Sequence, residues 1–263
     1  NESRGVMVDS CKHISILNNN IGVDRSGRAP LLNDFESVLI QSGSDSVLIA
    51  GNCIASDKFS IRLLGAQHTS IRHNCINTDS TMSFDLGGDA ALLIQAASHD
   101  NRIEHNKIAF SRRAVVIADS SQRNTLSQNI ITGNQQGIII FENANGNIEP
   151  PVIHSTSATE ITGASSTGSR VDVFADSASQ GADYLGHAVA NESGEFSLTL
   201  DMAPAYPYVT AIATDEHGNS SGFSWPQMVT GLDEQQGQSV PVSFRVSLPY
   251  PNPFNPETTI SFQ

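Results

Sequence analysis

The sequence predicts an all-β chain: a solenoid of about six stacked coils over residues 1–148, then a small antiparallel β-sandwich over residues 149–226. Three observations lead there. Charged residues make up only 16% and aromatic residues 6% of the chain, while Gly, Asn, Ser and Thr are abundant, a composition of short strands and tight turns and not of amphipathic helices. A short motif recurs at regular spacing through the first half. After two consecutive prolines the pattern changes to longer alternating strands.

Five segments carry the recurring motif of apolar, any, any, Asn, any, Ile (or Leu at the first place): ILNNNI, IAGNCI, IRHNCI, IEHNKI and LSQNII. Their asparagines are Asn19, Asn52, Asn74, Asn106 and Asn129, spaced by 33, 22, 32 and 23 residues. The basic period is therefore 22–23 residues, with about ten extra in alternate coils, roughly at 22–35 and 79–90. Extra residues tolerated at one point, with everything else in register, describe a solenoid whose loops leave from one corner. A second apolar strand precedes each motif: GVMV, SVLI, SIRLL, ALLI and AVVI, with GIIIF opening a sixth turn. Inward apolar residues should stack on their equivalents ~4.8 Å away and form a continuous dry column. The five asparagines are expected to form a structural ladder at a turn that needs a left-handed or bridge conformation, their amides bonding along the axis.

These coils resemble the right-handed parallel β-helix proteins, a family that includes pectate lyases, polygalacturonases and many uncharacterised surface proteins. The resemblance covers residues 1–148. It implies the fold, with an open end at the first coil, but not an activity, because catalytic and non-catalytic members share the coil.

Pro150 and Pro151 cannot donate ladder hydrogen bonds and should end the coil. The strands VIHSTS, RVDVFA, YLGHAVA, EFSLTL, YVTAIAT and GFSW follow, with NESGE and DEHGNSS as turns. This stretch resembles the immunoglobulin-like modules that follow β-helices in secreted bacterial proteins, where they serve as spacers or weak binding units. Residues 227–243 read as a polar linker. The segment FRVSLPYPNPFNPETTISFQ, residues 244–263, is similar to the start of the C-terminal sorting domains read by the type IX secretion system. Its motif is Pro251, Asn252, Pro253, Phe254, Asn255 and Pro256. The resemblance implies a Bacteroidetes-like secreted or outer-surface protein, with the type IX machinery as a partner, and a sorting domain cut short after one strand.

Residues 1–148 hold 12 Lys and Arg against 14 Asp and Glu, and residues 149–263 hold 2 against 13. An acidic surface repels phosphate backbones and anionic lipid, which argues against nucleic-acid and membrane partners. No apolar run approaches the ~18 residues of a membrane span. A secretion leader is expected upstream of Asn1, which already lies inside the repeat.

Five residues after the motif asparagines come Asp24, Asp57, Asp79, Ser111 and Asn134. Stacked at one corner, the three aspartates would repel unless a cation intervened, and hard oxygen ligands suit calcium. Asp34, Asp85 and Asp89 on the insertions could complete such a site. The plainer reading makes each aspartate a turn former that bonds its own backbone. An outward column of Met7, Leu39, Arg62, Leu93, Val116 and Ile139 is expected on the first strand of each coil, with one charge among apolar residues. Such a face lacks an acid–base pair, Arg62 being the best candidate base present, and looks covered by a loop or a partner. His73 and His105 precede motif asparagines and read as polar turn residues. Cys53 and Cys75 share one offset in adjacent coils, so their side chains should be neighbours, as free or loosely paired thiols more readily than as a bridge.

Two functions follow. The first is a secreted or cell-surface scaffold, non-catalytic, that binds extracellular polysaccharide or a surface protein. The second is the C-terminal remnant of a secreted calcium-dependent polysaccharide lyase or glycoside hydrolase.

Overall fold

The computed structural model describes residues 4–230. The first part is a parallel β-helix with three sheets. The first sheet stacks Val6–Asp9, Glu36–Gln41, Phe59–Leu64, Ala90–Gln95, Arg113–Ile117 and Gln136–Ile140 in that order. The second stacks Ser15–Leu17, Leu48–Ala50, Ser70–Arg72, Arg102–Glu104 and Thr125–Ser127. The third stacks Asn20–Ile21, Cys53–Ile54, Cys75–Ile76, Lys107–Ala109 and Ile130–Thr132. Every pairing between coils is parallel.

The register explains the repeat. Ile16, Ile49, Ile71, Ile103 and Leu126 stand above one another in the second sheet, and Ile21, Ile54, Ile76, Ile108 and Ile131 in the third. Both columns point into one continuous core that also takes in Val38, Ile61, Leu92 and Val115 of the first sheet. Burying each such side chain stabilises the coil by about 1.5–3 kcal/mol, and the branched aliphatics fit stacked pleats well.

The motif asparagines do not occupy the left-handed position assigned to them above. That position falls one residue earlier, on Asn18, Gly51, His73, His105 and Gln128, with φ of 55°, 69°, 53°, 55° and 54°. The reason is hydrogen bonding. At the corner the chain turns too sharply for backbone N–H groups to find a carbonyl, so the asparagine points inward and substitutes for one. Oδ1 of Asn52, Asn74, Asn106 and Asn129 accepts the backbone N–H of the asparagine one coil earlier at 2.8, 2.9, 3.0 and 3.0 Å. The same oxygens accept the earlier asparagine's Nδ2 at 3.2, 3.0, 2.9 and 2.9 Å.

Two more polar columns run up the other corners. Nδ2 of Asn101 donates to Asn124 Oδ1 at 2.8 Å, and Asn145 Oδ1 accepts the Asn124 backbone N–H at 2.8 Å. Nδ2 of Asn77 donates to Ser111 Oγ at 2.9 Å, and Asn134 Oδ1 accepts the Ser111 N–H at 3.0 Å.

The ten-residue insertions are two copies of one loop. In both, the chain leaves the third sheet, turns, and closes through Leu31 N–H to Gly22 O at 2.9 Å and Leu86 N–H to Asn77 O at 3.1 Å. Val23 and Leu86 pack with Ala55 of the intervening coil in a small satellite core. Gly22 is required here: at φ 73° a Cβ would lie 1.9 Å from Ala55 O.

The second part is a two-sheet sandwich. Val152–Thr156, Glu160–Ala164 and Glu195–Thr199 form one antiparallel sheet. Asp183–Val189, Arg170–Asp176, Tyr208–Thr214 and Gln227–Met228 form the other, so ladder bonding runs past Pro226 into the expected linker. Ile153, Ile161, Val171, Val173, Phe196 and Val209 fill the space between. Glu160–Ala164 is a strand absent from those expected from the sequence, and it contains Gly163. That glycine is needed where Val152 O would lie 2.3 Å from a Cβ. GFSW, expected as a strand, is irregular: Trp225 is 87% exposed, and Phe223 packs edge-on to Phe174. The sorting motif Pro251 to Pro256 and most of the linker lie outside the described residues.

The sandwich supplies the next layer of the helix. Ile131 and Gly181 exchange both backbone hydrogen bonds at 2.9 and 2.7 Å. Gln180 Oε1 accepts Asn134 Nδ2 at 3.0 Å and so continues one polar column, while Ser220 O accepts Asn145 Nδ2 at 2.7 Å and continues another.

Replacing Asn106 by Ala leaves the Asn74 backbone N–H without its acceptor inside the coil and removes one donor from the Ile71 carbonyl. The expected cost is about 3 kcal/mol, read as a fall in the denaturant midpoint with an unchanged slope.

Candidate functional site

The first sheet is the widest that the repeat builds, with six strands against five in each of the others. Met7, Leu39, Arg62, Leu93, Val116 and Ile139 are consecutive ladder partners there. Their strand neighbours Val38 and Ile40 belong to the core, and the period of two sends this column to the opposite side. Around it the side chains form a shallow groove of about 680 Å³, lined by Phe59, Arg62, Leu93, Gln95, Arg113 and Phe141 among others.

A polar chain crosses this face. Arg4 Nε donates to Glu36 Oε2 at 2.6 Å, and Arg62 Nη1 donates to Glu36 Oε1 at 2.9 Å. Arg62 Nε donates to Gln95 Oε1 at 2.9 Å, and Gln95 Nε2 to Asp119 Oδ2 at 2.8 Å. The Arg62 guanidinium also lies over the Phe59 ring, 5.4 Å from its centroid. At the edge, Arg112 and Arg113 both donate to Asp89. Burial pushes the Glu36 carboxyl up, but the bonds from Arg62 and Arg4 outweigh it and hold it below the ordinary range. Asp89 behaves alike: burial raises it, and Arg112 and Arg113 bring it down further than burial lifts it.

Such carboxylates stay ionised at neutral pH and cannot act as general acids. The Arg62 guanidinium is committed to Glu36 and Gln95. Leu39 and Val116 of the column are only 2% exposed, so what the face presents to solvent is Met7, Leu93 and Ile139 together with phenyl rings and guanidinium and amide groups. Glu36 and Phe59 were not visible as site residues in sequence, since both sit at the start of their strands, outside the recurring apolar template.

The aspartates expected at a calcium site do not converge. Asp24 and Asp79 lie at matching places in the two inserted loops, whereas Asp57 lies on a coil without an insertion. There its N–H bonds Asn33 O at 3.3 Å and its carbonyl accepts Asp89 N–H at 3.0 Å, level with the points where the loops return. Equal offsets in sequence stop being vertical neighbours once a loop intervenes. Each loop aspartate serves its own turn. Asp24 Oδ1 accepts the N–H groups of Arg28 and Ala29 at 3.0 and 3.2 Å, and Asp79 Oδ1 those of Ser83 and Phe84 at 2.8 and 3.2 Å. Asp85 accepts Gly87 N–H, and Asp89 is taken by its arginines. Among the described residues no three His, Cys, Asp or Glu side chains are arranged to hold a metal ion. His73 and His105 stack face to face, with centroids 5.1 Å apart, on the left-handed corner.

Fold and surface together define a solenoid scaffold closed at one end by a sandwich. Residues 1–156 match the family described as right handed beta helix region, and the chain belongs to that family. Residues 150–233 match the bacterial Ig domain. No curated protein matches. Among solved structures, the chain is similar to the enzymatically active domain of tailspike protein 2 of bacteriophage CBA120, at 9% identity and a TM-score of 0.28. That alignment covers 84% of this chain and 57% of the tailspike chain, so the protein spans little more than half the tailspike's length. Among the described residues no helix is long and apolar enough to cross a membrane.

Two outcomes follow. Calcium should leave the melting temperature unchanged in scanning calorimetry. Burial pushes the Asp79 carboxyl up, yet the bonds from Thr81, Ser83 and Phe84 bring it down to about 2. A depressed carboxylate adds stability that is present above the unfolded value of ~3.9 and is lost as pH falls through the folded one. The melting-temperature gap between the protein and Asp79→Ala should therefore be full at pH 7 and narrow between pH 4 and pH 2.

Proposed function

We propose that this protein is a secreted or cell-surface β-helix scaffold that is non-catalytic in this region and binds an extracellular polysaccharide or surface protein along the outer face of its first sheet. The observation that carries the reading is the pairing of Glu36 with Arg4 and Arg62 and of Asp89 with Arg112 and Arg113, beside the partly exposed aliphatic residues Leu93 and Ile139. Neutralised carboxylates leave no acid–base pair, and the aliphatic residues, rings and donors suit the apolar faces and hydroxyls of sugars. The bacterial Ig domain match and the β-helix support a location outside the cell. The motif Pro251, Asn252, Pro253, Phe254, Asn255 and Pro256 supports export through the type IX machinery.

Affinity electrophoresis against neutral and acidic polysaccharides, with and without calcium, tests the proposal. Binding is expected to weaken by about tenfold in Arg62→Ala, equivalent to ~1.4 kcal/mol, and further in Leu93→Asp, with no new reducing ends or unsaturated products. Depolymerisation that disappears in Glu36→Gln would instead establish the lyase or hydrolase reading.

A further inference from the structure

The third sheet carries a feature that the binding face does not use. Cys53 and Cys75 are direct ladder partners in adjacent coils, and both are free thiols and half-buried. They form the floor of a cleft walled by the two inserted loops, with Asn20, Gly27, Arg28, His73, Asp79 and Ser80 around it. Gly27 of the first loop approaches so closely that a Cβ there would lie 3.3 Å from Cys53 Sγ. The Cys53 thiol has the carbonyls of Gly27 and Thr78, one from each loop, as acceptors at 3.6 Å. The next residue up the column is Lys107, whose Nζ donates to Ser80 O at 2.6 Å across the mouth of the cleft.

We propose that Cys53 and Cys75 form a two-coordinate site for a soft monovalent d¹⁰ cation of the Cu(I) type, held between neighbouring coils. Stacked residues of paired strands keep equivalent atoms ~4.8 Å apart. Two metal–sulfur bonds of ~2.3 Å, the length of a zinc–thiolate bond, span ~4.6 Å laid end to end, which matches the spacing of stacked positions. A disulfide instead wants its Cβ atoms at ~3.8 Å and would have to pull the coils together. Thiolate ligands select soft ions, and zinc would need four donors where the cleft supplies two.

Binding exchanges two S–H bonds for two S–metal bonds and releases two protons, with no electron transferred. The product is a dithiolate anion of net charge −1, which the Lys107 ammonium offsets. Because a thiol must give up its proton to bind a metal, affinity rises with pH.

The test is titration of the reduced full chain with Ag(I) alone, as nitrate in chloride-free buffer. One Ag(I) per chain is expected, with release of two protons, loss of two of the three thiols to alkylation, and a melting temperature several degrees higher. Cys53→Ser and Cys75→Ser should each weaken binding at least a hundredfold, while Cys11→Ser, which alters an exposed thiol, should not change it. Alkylation protection in the unmutated protein reads the same site should a variant fail to fold. Stoichiometry that follows Cys11, equal affinity for Zn(II), or a Cys53–Cys75 disulfide in the protein purified without reductant would each overturn the site.

Discussion

Every coil of this protein depends on satisfying backbone groups at its corners. Three sheets meet at bends where the ladder is interrupted, and a buried N–H without a partner costs about 1–3 kcal/mol. Columns of amide and hydroxyl side chains remove that cost. In the Asn52 to Asn129 column each Oδ1 takes two donors from the coil before, and Nδ2 of Asn52, Asn74 and Asn106 returns to carbonyls on both sides. The aliphatic columns fill the core only because these columns hold the coils in one register. A slip by a single residue would turn every isoleucine outward.

The same requirement explains why the sandwich is more than a spacer. The last coil of a solenoid presents unpaired ladder groups and unfinished polar columns, which invite association. Gly181 pairs with Ile131, Gln180 extends the column of Asn134, and Ser220 that of Asn145. Ser127 and Thr132 donate to Asp172 and Asp176 at 2.7 and 2.9 Å, giving these two largely buried carboxylates partners across the junction. The immunoglobulin-like module thus continues the hydrogen bonding of the helix in a different fold.

The repeat creates the two surfaces proposed for function for different reasons. On the first sheet, stacking lines up aliphatic side chains and threads an Arg–Glu–Arg–Gln–Asp chain between them, in which one carboxylate, Glu36, is shared by two guanidiniums. On the third, stacking brings two thiols to the spacing of neighbouring strands beneath paired loops. Neither surface needs a special motif. Each arises because residues far apart in the chain are forced to one height on the axis.

The coil count, the insertions, the outward column and the Cys53–Cys75 adjacency were legible in the residues, because a period of 22–23 residues fixes which positions face which. The asparagine conformation was not, since a polar residue at a corner can either occupy the bend or serve the residue that does, and only backbone angles distinguish Asn52 from Gly51. Asp57 failed for a related reason: offsets count residues, whereas the loops at Asp24 and Asp79 carry the chain away from the axis before returning. The pairing of Glu36 with two arginines, the strand around Gly163 and the capping contacts of Gln180 join segments with no shared pattern. Contacts of that kind depend on how side chains meet in space, which periodicity does not encode.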